Sequence, residues 1–210
     1  MRLSYKRFLG ILGLLYIVIT PCSGQDAETD EGRDAMAYVQ ILTSAVFPNA
    51  LGNNFLSEAY AVKAGFMGEL SIFFDERYFI GYQGIFNSSE VENPALVGQF
   101  DRSKIQHHYL QSGYSFLPKE HKIGITTAIG VGLARYKNFK EDTKFLDDGF
   151  SLMANARLSY RFSSFLGLHT GLQLSNDFMN TKTAPELESF FKNAHTLYVS
   201  AGLVFYIGAN

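Results

Sequence analysis

The sequence predicts an all-β protein, an eight-stranded antiparallel up-and-down transmembrane β-barrel. Three observations lead to this prediction: an N-terminal export signal, eight segments in which apolar residues alternate with small or polar ones, and connections that are alternately short and long. The composition agrees with strands, because the 210 residues include 12 Tyr, 19 Phe and 19 Gly but only 5 Pro.

The N-terminal residues have the pattern of a secretory signal. Basic residues at the start are followed by an uncharged, mostly apolar run, Phe8–Thr20, and then by small residues. We expect cleavage after Gly24, with residues 1–24 as the signal peptide. The apolar run is shorter than the roughly 20 residues of a membrane-spanning helix, and no longer run follows it, so any membrane spanning is expected to be by strands.

Cys22 is the only cysteine of the chain. Cleavage after the signal peptide removes it, which leaves the mature chain without disulfides or cysteine ligands. The alternative is a lipoprotein, in which cleavage before Cys22 leaves this residue to be acylated, although Pro21 stands where such a site favours a small residue. Residues 25–36 are predicted to form a short polar periplasmic lead, and residues 37–210 the barrel domain.

We place the eight strands where apolar residues occupy every second position. The predicted strands are residues 37–47, 58–74, 78–86, 104–116, 122–136, 149–162, 165–175 and 195–207.

The first four strands alternate with different regularity. In the second strand, Phe66, Leu70 and Ile72 on one face oppose Lys63 and Glu69 on the other. The first and fourth strands are less clean, and the third is apolar on nearly both faces. Among these four strands, only the second has a pattern that clearly distinguishes an apolar face from a polar one.

The last four strands alternate throughout. The fifth opposes Ile, Val and Leu to Gly and Ala, the sixth opposes Leu158 and Phe162 to Arg157 and Arg161, and the seventh opposes leucines to residues such as His169. The eighth has the same pattern and is described below with its motif.

The connections alternate in length. Short turns at residues 75–77, 117–121 and 163–164 separate long loops at residues 48–57, 87–103, 137–148 and 176–194. Short turns on one side and long loops on the other are the plan of bacterial outer-membrane barrels. An even number of strands also returns both termini to the short-turn side, which is expected to be periplasmic.

A soluble barrel would alternate as well, with its apolar face inside. It would cover its outer face with Lys and Glu, whereas the second face here consists mainly of Gly, Ala, Ser, Thr and Gln. Small side chains fit the interior of an eight-stranded barrel, which is just wide enough for side chains to fill. The chemistry of this face therefore favours the membrane barrel.

The last strand resembles a known family. Its pattern Ser200-x-Gly202-x-x-Phe205-x-Ile207 is similar to the assembly signal of the small OmpA/OmpX-type outer-membrane barrels, particularly those of Bacteroidota. The resemblance covers residues 37–210. It implies a location in the cell outer membrane, among outer-membrane lipids and lipopolysaccharide, and insertion by the barrel-assembly machinery.

Several ionisable residues fall on the predicted inner face. Glu69 and Arg157 lie at similar heights on opposite strands, so we expect them to meet across the lumen, with His169 beside Arg157. The simpler interpretation is a satisfied ion-pair network, because an unpaired charge in a narrow interior is costly; the alternative is a charged plug or gate. The candidate lumen network consists of Lys63, Glu69, Arg157, Arg161, His107 and His169.

We predict no catalytic, cofactor-binding or metal site. His108 and Ser112 face outward on the fourth strand, but four residues at roughly 3.3 Å each separate them by about 13 Å, too far to share a proton. His107 and His108 face opposite sides and cannot bind one metal ion from a regular strand. The acidic loop pairs 141–142 and 147–148 are interpreted as solvated, with binding of divalent cations or cation-bridged lipopolysaccharide as the alternative.

The longest loop contains residues 185–191, which predict a short helix that caps the barrel mouth or meets a partner. Phe190 and Phe191 are expected to be buried, with packing on the barrel's own rim as the simpler alternative.

The predicted function is an integral outer-membrane barrel with a structural or interaction role, a lumen filled by side chains, no catalytic site and no cofactor. A small-solute pore is the alternative, and a lipid-modifying outer-membrane enzyme is less favoured. An outer-membrane protein partner is expected to bind through the long loops. Nucleic acid is not expected as a partner, because the formal net charge is −2.

Overall fold

The computed structural model describes residues 38–74, 77–117, 121–180 and 188–208. The predicted signal peptide (1–24) and periplasmic lead (25–36) lie outside the described residues.

The described chain forms a closed barrel in which every strand pairs antiparallel with its neighbours in sequence, and the last strand pairs with the first. This arrangement confirms the predicted eight-stranded up-and-down barrel. The strands are β1 Tyr38–Leu51, β2 Tyr60–Phe74, β3 Tyr78–Val91, β4 Arg102–Ser115, β5 Ile123–Lys140, β6 Thr143–Arg161, β7 Leu166–Met179 and β8 Asn193–Ile207.

Three short helices lie in the connections at the end opposite the short turns. They are α1 Phe55–Ala59, α2 Pro94–Val97 and α3 Glu188–Lys192. None of the helices among the described residues has the length and apolar character needed to span a membrane.

The strands extend further than predicted at this helical end. The predicted loop 137–148 is instead a hairpin, since β5 and β6 remain paired up to Lys140 and Thr143 and turn at Glu141, whose φ is 51°. The loops predicted at 48–57, 87–103 and 176–194 are likewise shortened by strand extensions. Above the apolar band the outward residues of β5 and β6 include Arg135, Lys137 and Asp148, so the apolar outer face ends while the backbone pairing continues.

The outer face of the barrel is apolar. Leu110 is 68% exposed and Ile129 is 72% exposed, while small and polar side chains of the alternate positions are buried inside. In β8, Leu203 and Ile207 face outward and Ser200 and Val204 are buried, as the alternation predicted.

A β-bulge reverses the alternation in the upper part of β2. The register of β2 against β3 shifts between Val62 and Gly65, and the amide of Asn87 donates a 2.9 Å hydrogen bond to the carbonyl oxygen of Lys63 at this point. Tyr60 is therefore buried, and the side chain of Lys63 is half exposed on the outside. The prediction that Lys63 faces the lumen is wrong, because one extra residue moves all the side chains above it to the other face.

Apolar side chains fill the lumen in three clusters. The lower cluster, near the short turns, contains Tyr38, Leu42, Phe73, Phe79, Ala128, Val204 and Tyr206. The middle cluster contains Val46, Met67, Ile85, Tyr109, Met153 and Tyr198. The upper cluster, below and around the helices, contains Phe55, Leu56, Ala59, Tyr60, Ile105, Ala134, Tyr136, Met179 and Ala194.

Candidate functional site in the barrel lumen

A buried ion pair crosses the lumen between the lower and middle clusters. Nη1 of Arg157 on β6 donates to Oε1 of Glu69 on β2 over 2.8 Å, and the two side chains are 7% and 1% exposed. Ser71 and Gln83 also donate to the Glu69 carboxylate, at 2.8 and 3.3 Å. The structure thus brings together the two opposite-strand residues that the sequence placed at similar heights.

His169 lies in the same layer. Its Nε2 is 2.7 Å from Oγ of Ser44, and its ring lines a cavity of about 20 Å³ together with Glu69, Gln83 and Arg157. This volume holds about one water molecule. We call the residues Ser44, Glu69, Ser71, Gln83, Arg157 and His169 the lower polar network.

A second polar network lies above the middle cluster, and the sequence analysis missed its central residue. Asp177 on β7 is fully buried and accepts hydrogen bonds from the hydroxyls of Tyr136 and Ser151, at 2.7 and 2.5 Å. Its other contact is Nε2 of His107, at 2.9 Å. His107 therefore pairs with Asp177 and does not join the lower polar network.

The sequence predicts that Asp177 lies in the loop 176–194, because the continuous apolar face of the seventh strand ends at Leu174. The inward face continues regularly, however, through Gln173, Ser175 and Asp177. Polar residues at every second position would have indicated that the strand continues.

Two tyrosines connect the middle cluster to this second network. The hydroxyl of Tyr109 lies 2.8 Å from Oγ of Ser151 and 3.0 Å from Oγ of Ser175. The hydroxyl of Tyr198 lies 3.4 Å from Nδ1 of His107. We call the residues His107, Tyr109, Tyr136, Ser151, Ser175, Asp177 and Tyr198 the upper polar network.

Arg161 lies apart from both networks, close to the short turns. Its guanidinium carbon is 3.9 Å from the centre of the Tyr206 ring, which is a cation–π contact. Of the six predicted lumen residues, Glu69, Arg157 and His169 lie together in the lower polar network. The other three, Lys63, His107 and Arg161, lie elsewhere.

The outward histidine and serine of β4 do not form a catalytic pair. Nδ1 of His108 is 2.5 Å from the hydroxyl of Tyr82, and no hydrogen bond among the described residues joins His108 to Ser112. Nor do any three His, Cys, Asp or Glu side chains in the described part of the chain gather around a site for one metal ion.

In the two acidic pairs of the β5–β6 hairpin, Asp148 has an ion-pair partner, and Glu141 is held through its backbone. Asp148 accepts a 2.7 Å hydrogen bond from Nε of Arg135, and this contact raises the pKa of Arg135. Asp101 accepts a 2.7 Å hydrogen bond from the backbone N–H of Glu141. Burial, and after it the charge of Asp148, raise the pKa of Asp147.

The upper end of the lumen is covered by α1 and α3. Oδ1 of Asn54 accepts from the backbone N–H groups of Leu56 and Ser57, at 3.0 and 3.2 Å, and so caps the start of α1. Phe191 of α3 stacks on Phe55 with ring centres 5.7 Å apart. The helix expected around Phe190 is present, and it packs on the barrel rim; residues 185–187 of the predicted segment lie outside the described residues.

The proposed assembly-signal strand forms the closing seam with β1. Ser200 and Gly202 face the lumen, and Phe205 and Ile207 lie on the outward face. A Cβ atom on Gly202 would lie 2.0 Å from the carbonyl oxygen of Thr43. The glycine of the pattern is thus required by the close approach of the two strands.

Several solved structures share this architecture. Neisserial surface protein A (NspA) has 15% sequence identity and a TM-score of 0.52, and the match covers 81% of this chain and 97% of that one. The outer membrane protein OprG from Pseudomonas aeruginosa has 10% identity and a TM-score of 0.55, with 84% and 98% covered. Ail, the attachment invasion locus protein of Yersinia pestis, has 11% identity and a TM-score of 0.50, with 82% and 99% covered.

No protein-family model matches the sequence, and no curated protein matches it. At these low identities the likeness to the three structures shows the fold of the chain.

Proposed function

We propose that this protein is an integral outer-membrane β-barrel with a closed lumen, and that its role is structural or interactive rather than transport or catalysis. The observation that carries the proposal is the barrel's inside-out surface: large apolar side chains cover the outside, while the charges of Glu69 and Arg157 are paired inside. A contiguous apolar surface of this kind is unfavourable in water and favourable in lipid.

The height of the apolar outer face supports insertion in a bilayer. On β5 the outward residues are apolar or Thr from Ile123 to Leu133, and the next outward residue is Arg135. At roughly 3.3 Å per residue and the usual strand tilt, this stretch spans about 25 Å along the barrel axis. On β6 the matching stretch ends at Phe150, followed by Asp148. The two strands define the same upper boundary.

The closed lumen supports a role other than conduction. The lower and middle clusters fill the cross-section on both sides of the lower polar network, and the cavity at this network has room for about one water molecule. The upper cluster and its two helices cover the outer end.

The proposal includes one feature predicted from the N-terminal residues and two that the resemblance implies. They are export through the signal peptide, insertion by the barrel-assembly machinery through the β8 pattern, and relation to the OmpA/OmpX-type barrels. A protein partner would bind at the helical end, where α1, α2 and α3 lie.

Fractionation and refolding test the membrane assignment. We expect the full chain expressed in a Gram-negative host to be recovered in the outer-membrane fraction with Gln25 as its first residue. The refolded protein is expected to migrate differently on a gel before and after boiling, because a folded detergent-embedded barrel resists unfolding. Recovery as a water-soluble protein that needs no detergent would contradict the proposal.

A further inference from the structure

A patch of positive charge lies on the outside of β4, β5 and β6, above the apolar band. Its members occupy the same outward face of these strands as the apolar residues Leu110, Leu133 and Phe150. The patch, here called the basic face, consists of Arg102, Lys104, Arg135, Lys137 and Lys144.

The strand register brings like charges together within the basic face. Lys104 on β4 is directly opposite Lys137 on β5, an arrangement that costs stability in a sheet when nothing offsets it. Burial, and after it the positive charge of Lys144 and other cations of the face, lower the pKa of Lys137.

The protein itself neutralises only a small part of this charge. Arg135 pairs with Asp148, and Lys137 donates a 2.5 Å hydrogen bond to the neutral side chain of Gln106. Among the described residues, Lys104 and Lys144 have no ion pair and no hydrogen bond through their side chains. The face therefore presents several positive charges to whatever surrounds it.

The other described strands carry no such patch at this height. The outward residues that follow the apolar face are Asn49 on β1, Asn176 on β7 and His195 on β8. Lys63 on β2 is already paired with Glu90 of β3. Among the described strand residues, unpaired positive charge at this height is thus concentrated on β4, β5 and β6.

The surface directly below the basic face fits acyl chains. In successive rows of the three strands, His108 pairs with Leu133 and Leu133 with Phe150, and below them Leu110 pairs with Val131. Leu110 and Leu133 are more than half exposed. A ligand that contacts both surfaces must carry anionic groups and hydrocarbon chains.

We propose that the basic face binds the phosphate groups of a phosphorylated glycolipid of the outer leaflet, whose acyl chains lie on the apolar surface below. The inference rests on the proposed outer-membrane location. Lysine and arginine at the headgroup level attract anionic lipids, and a phosphate between Lys104 and Lys137 relieves their repulsion.

The test compares lipids that differ only in phosphate. The refolded full chain is placed in phosphatidylcholine nanodiscs, and its binding of bis-phosphorylated lipid A is measured beside that of enzymatically dephosphorylated lipid A. We expect the phosphorylated form to bind about tenfold more tightly or better, and the difference to shrink with added salt. The deacylated sugar phosphate is expected to bind at least about tenfold more weakly than the intact lipid, and equal binding would overturn the assignment to a lipid.

The variant K104Q/K137Q should lose the preference for phosphorylated lipid A. The matched control is K63Q, which removes a cation at the same boundary that already has an acidic partner, and which should keep the preference. Retention of the preference in K104Q/K137Q, or equal loss in K63Q, would overturn the inference. If the double variant does not fold, the single variant K144Q, whose side chain is exposed, is used under the same criterion.

A gel-shift assay on the same samples separates this inference from the proposed function. A barrel that inserts but shows no phosphate preference contradicts only the glycolipid site. A chain that does not insert contradicts the proposed function itself.

Discussion

At the scale of single residues, the lumen is organised by two buried acidic side chains. Glu69 accepts hydrogen bonds from Arg157, Ser71 and Gln83, and Asp177 accepts them from Tyr136 and Ser151 and contacts His107. A carboxylate that is buried away from water requires several hydrogen-bond donors, because its charge is otherwise not compensated. The two acidic side chains therefore fix the orientations of the side chains around them.

The Glu69–Arg157 pair gives the first prediction at this scale. Glu69→Gln removes the negative charge and leaves the guanidinium of Arg157 buried without its partner charge. We expect the free energy of unfolding to fall by about 3 kcal/mol, as is usual when one member of a buried pair is removed. The measurement is the midpoint of urea unfolding in detergent, with the folded fraction at each urea concentration determined by the gel shift.

A double variant, Glu69→Gln with Arg157→Met, controls for this prediction. Removing both charges leaves no buried unpaired ion, so we expect it to regain much of the lost stability. An unchanged unfolding midpoint in Glu69→Gln alone would show that the pair does not stabilise the barrel.

At the scale of elements, the β1–β8 seam explains part of the sequence pattern in the last strand. Gly202 is opposite Ser44 in the register, and a Cβ atom there would lie 2.6 Å from the Cα atom of Ser44. The pattern that resembles an assembly signal thus also contains a residue that closing the barrel requires.

The seam gives a prediction that separates the two roles. Gly202→Ala should slow or reduce folding into lipid vesicles that contain no assembly machinery, because the added methyl group collides with β1. The gel-shift assay measures the folded fraction with time. The matched control is Ala201→Ser, an outward position on the same strand, which should fold as the natural protein does.

Normal vesicle folding of Gly202→Ala, together with failed insertion in cells, would contradict the steric explanation. That result would assign the glycine to recognition by the assembly machinery.

In two elements the backbone structure departs from the alternating pattern of the sequence. The β5–β6 hairpin continues past Leu133 and Phe150, where outward residues become charged, and the bulge in β2 moves Lys63 to the outside. Both differences arise from backbone pairing, which does not depend on an apolar face.

At the scale of the whole molecule, the lumen is a stack of alternating apolar and polar layers. From the short turns upward, the order is the lower cluster, the lower polar network, the middle cluster, the upper polar network and the upper cluster. Two apolar layers within the barrel and a cover at its outer end oppose the passage of ions.

This layering predicts that the barrel does not conduct steadily. In planar-bilayer recordings of the refolded full chain, we expect no steady ohmic current, because the clusters fill the cross-section of an eight-stranded barrel. A wide natural porin inserted under the same conditions controls for the method. Steady conductance that scales with protein insertion would favour the pore alternative over the closed barrel.

The sequence by itself determined the fold, the number of strands and the outward face of β8. The reason is that these features depend on period-two alternation and on the lengths of connections, which are local properties of the chain. It also placed Glu69 and Arg157 at comparable heights, because counting from the short turns measures height along the barrel.

Only the tertiary structure decided which partner each inner residue has. Whether His107 contacts Asp177 or Glu69 depends on the height that each residue reaches along the barrel axis, which the strand register sets. The side of the barrel on which Lys63 lies depends on a β-bulge that the apolar pattern of the sequence does not indicate. The basic face likewise became visible when the register set Lys104 opposite Lys137 across two strands. These contacts join residues far apart in the chain, so their distances follow from barrel closure rather than from spacing along the sequence.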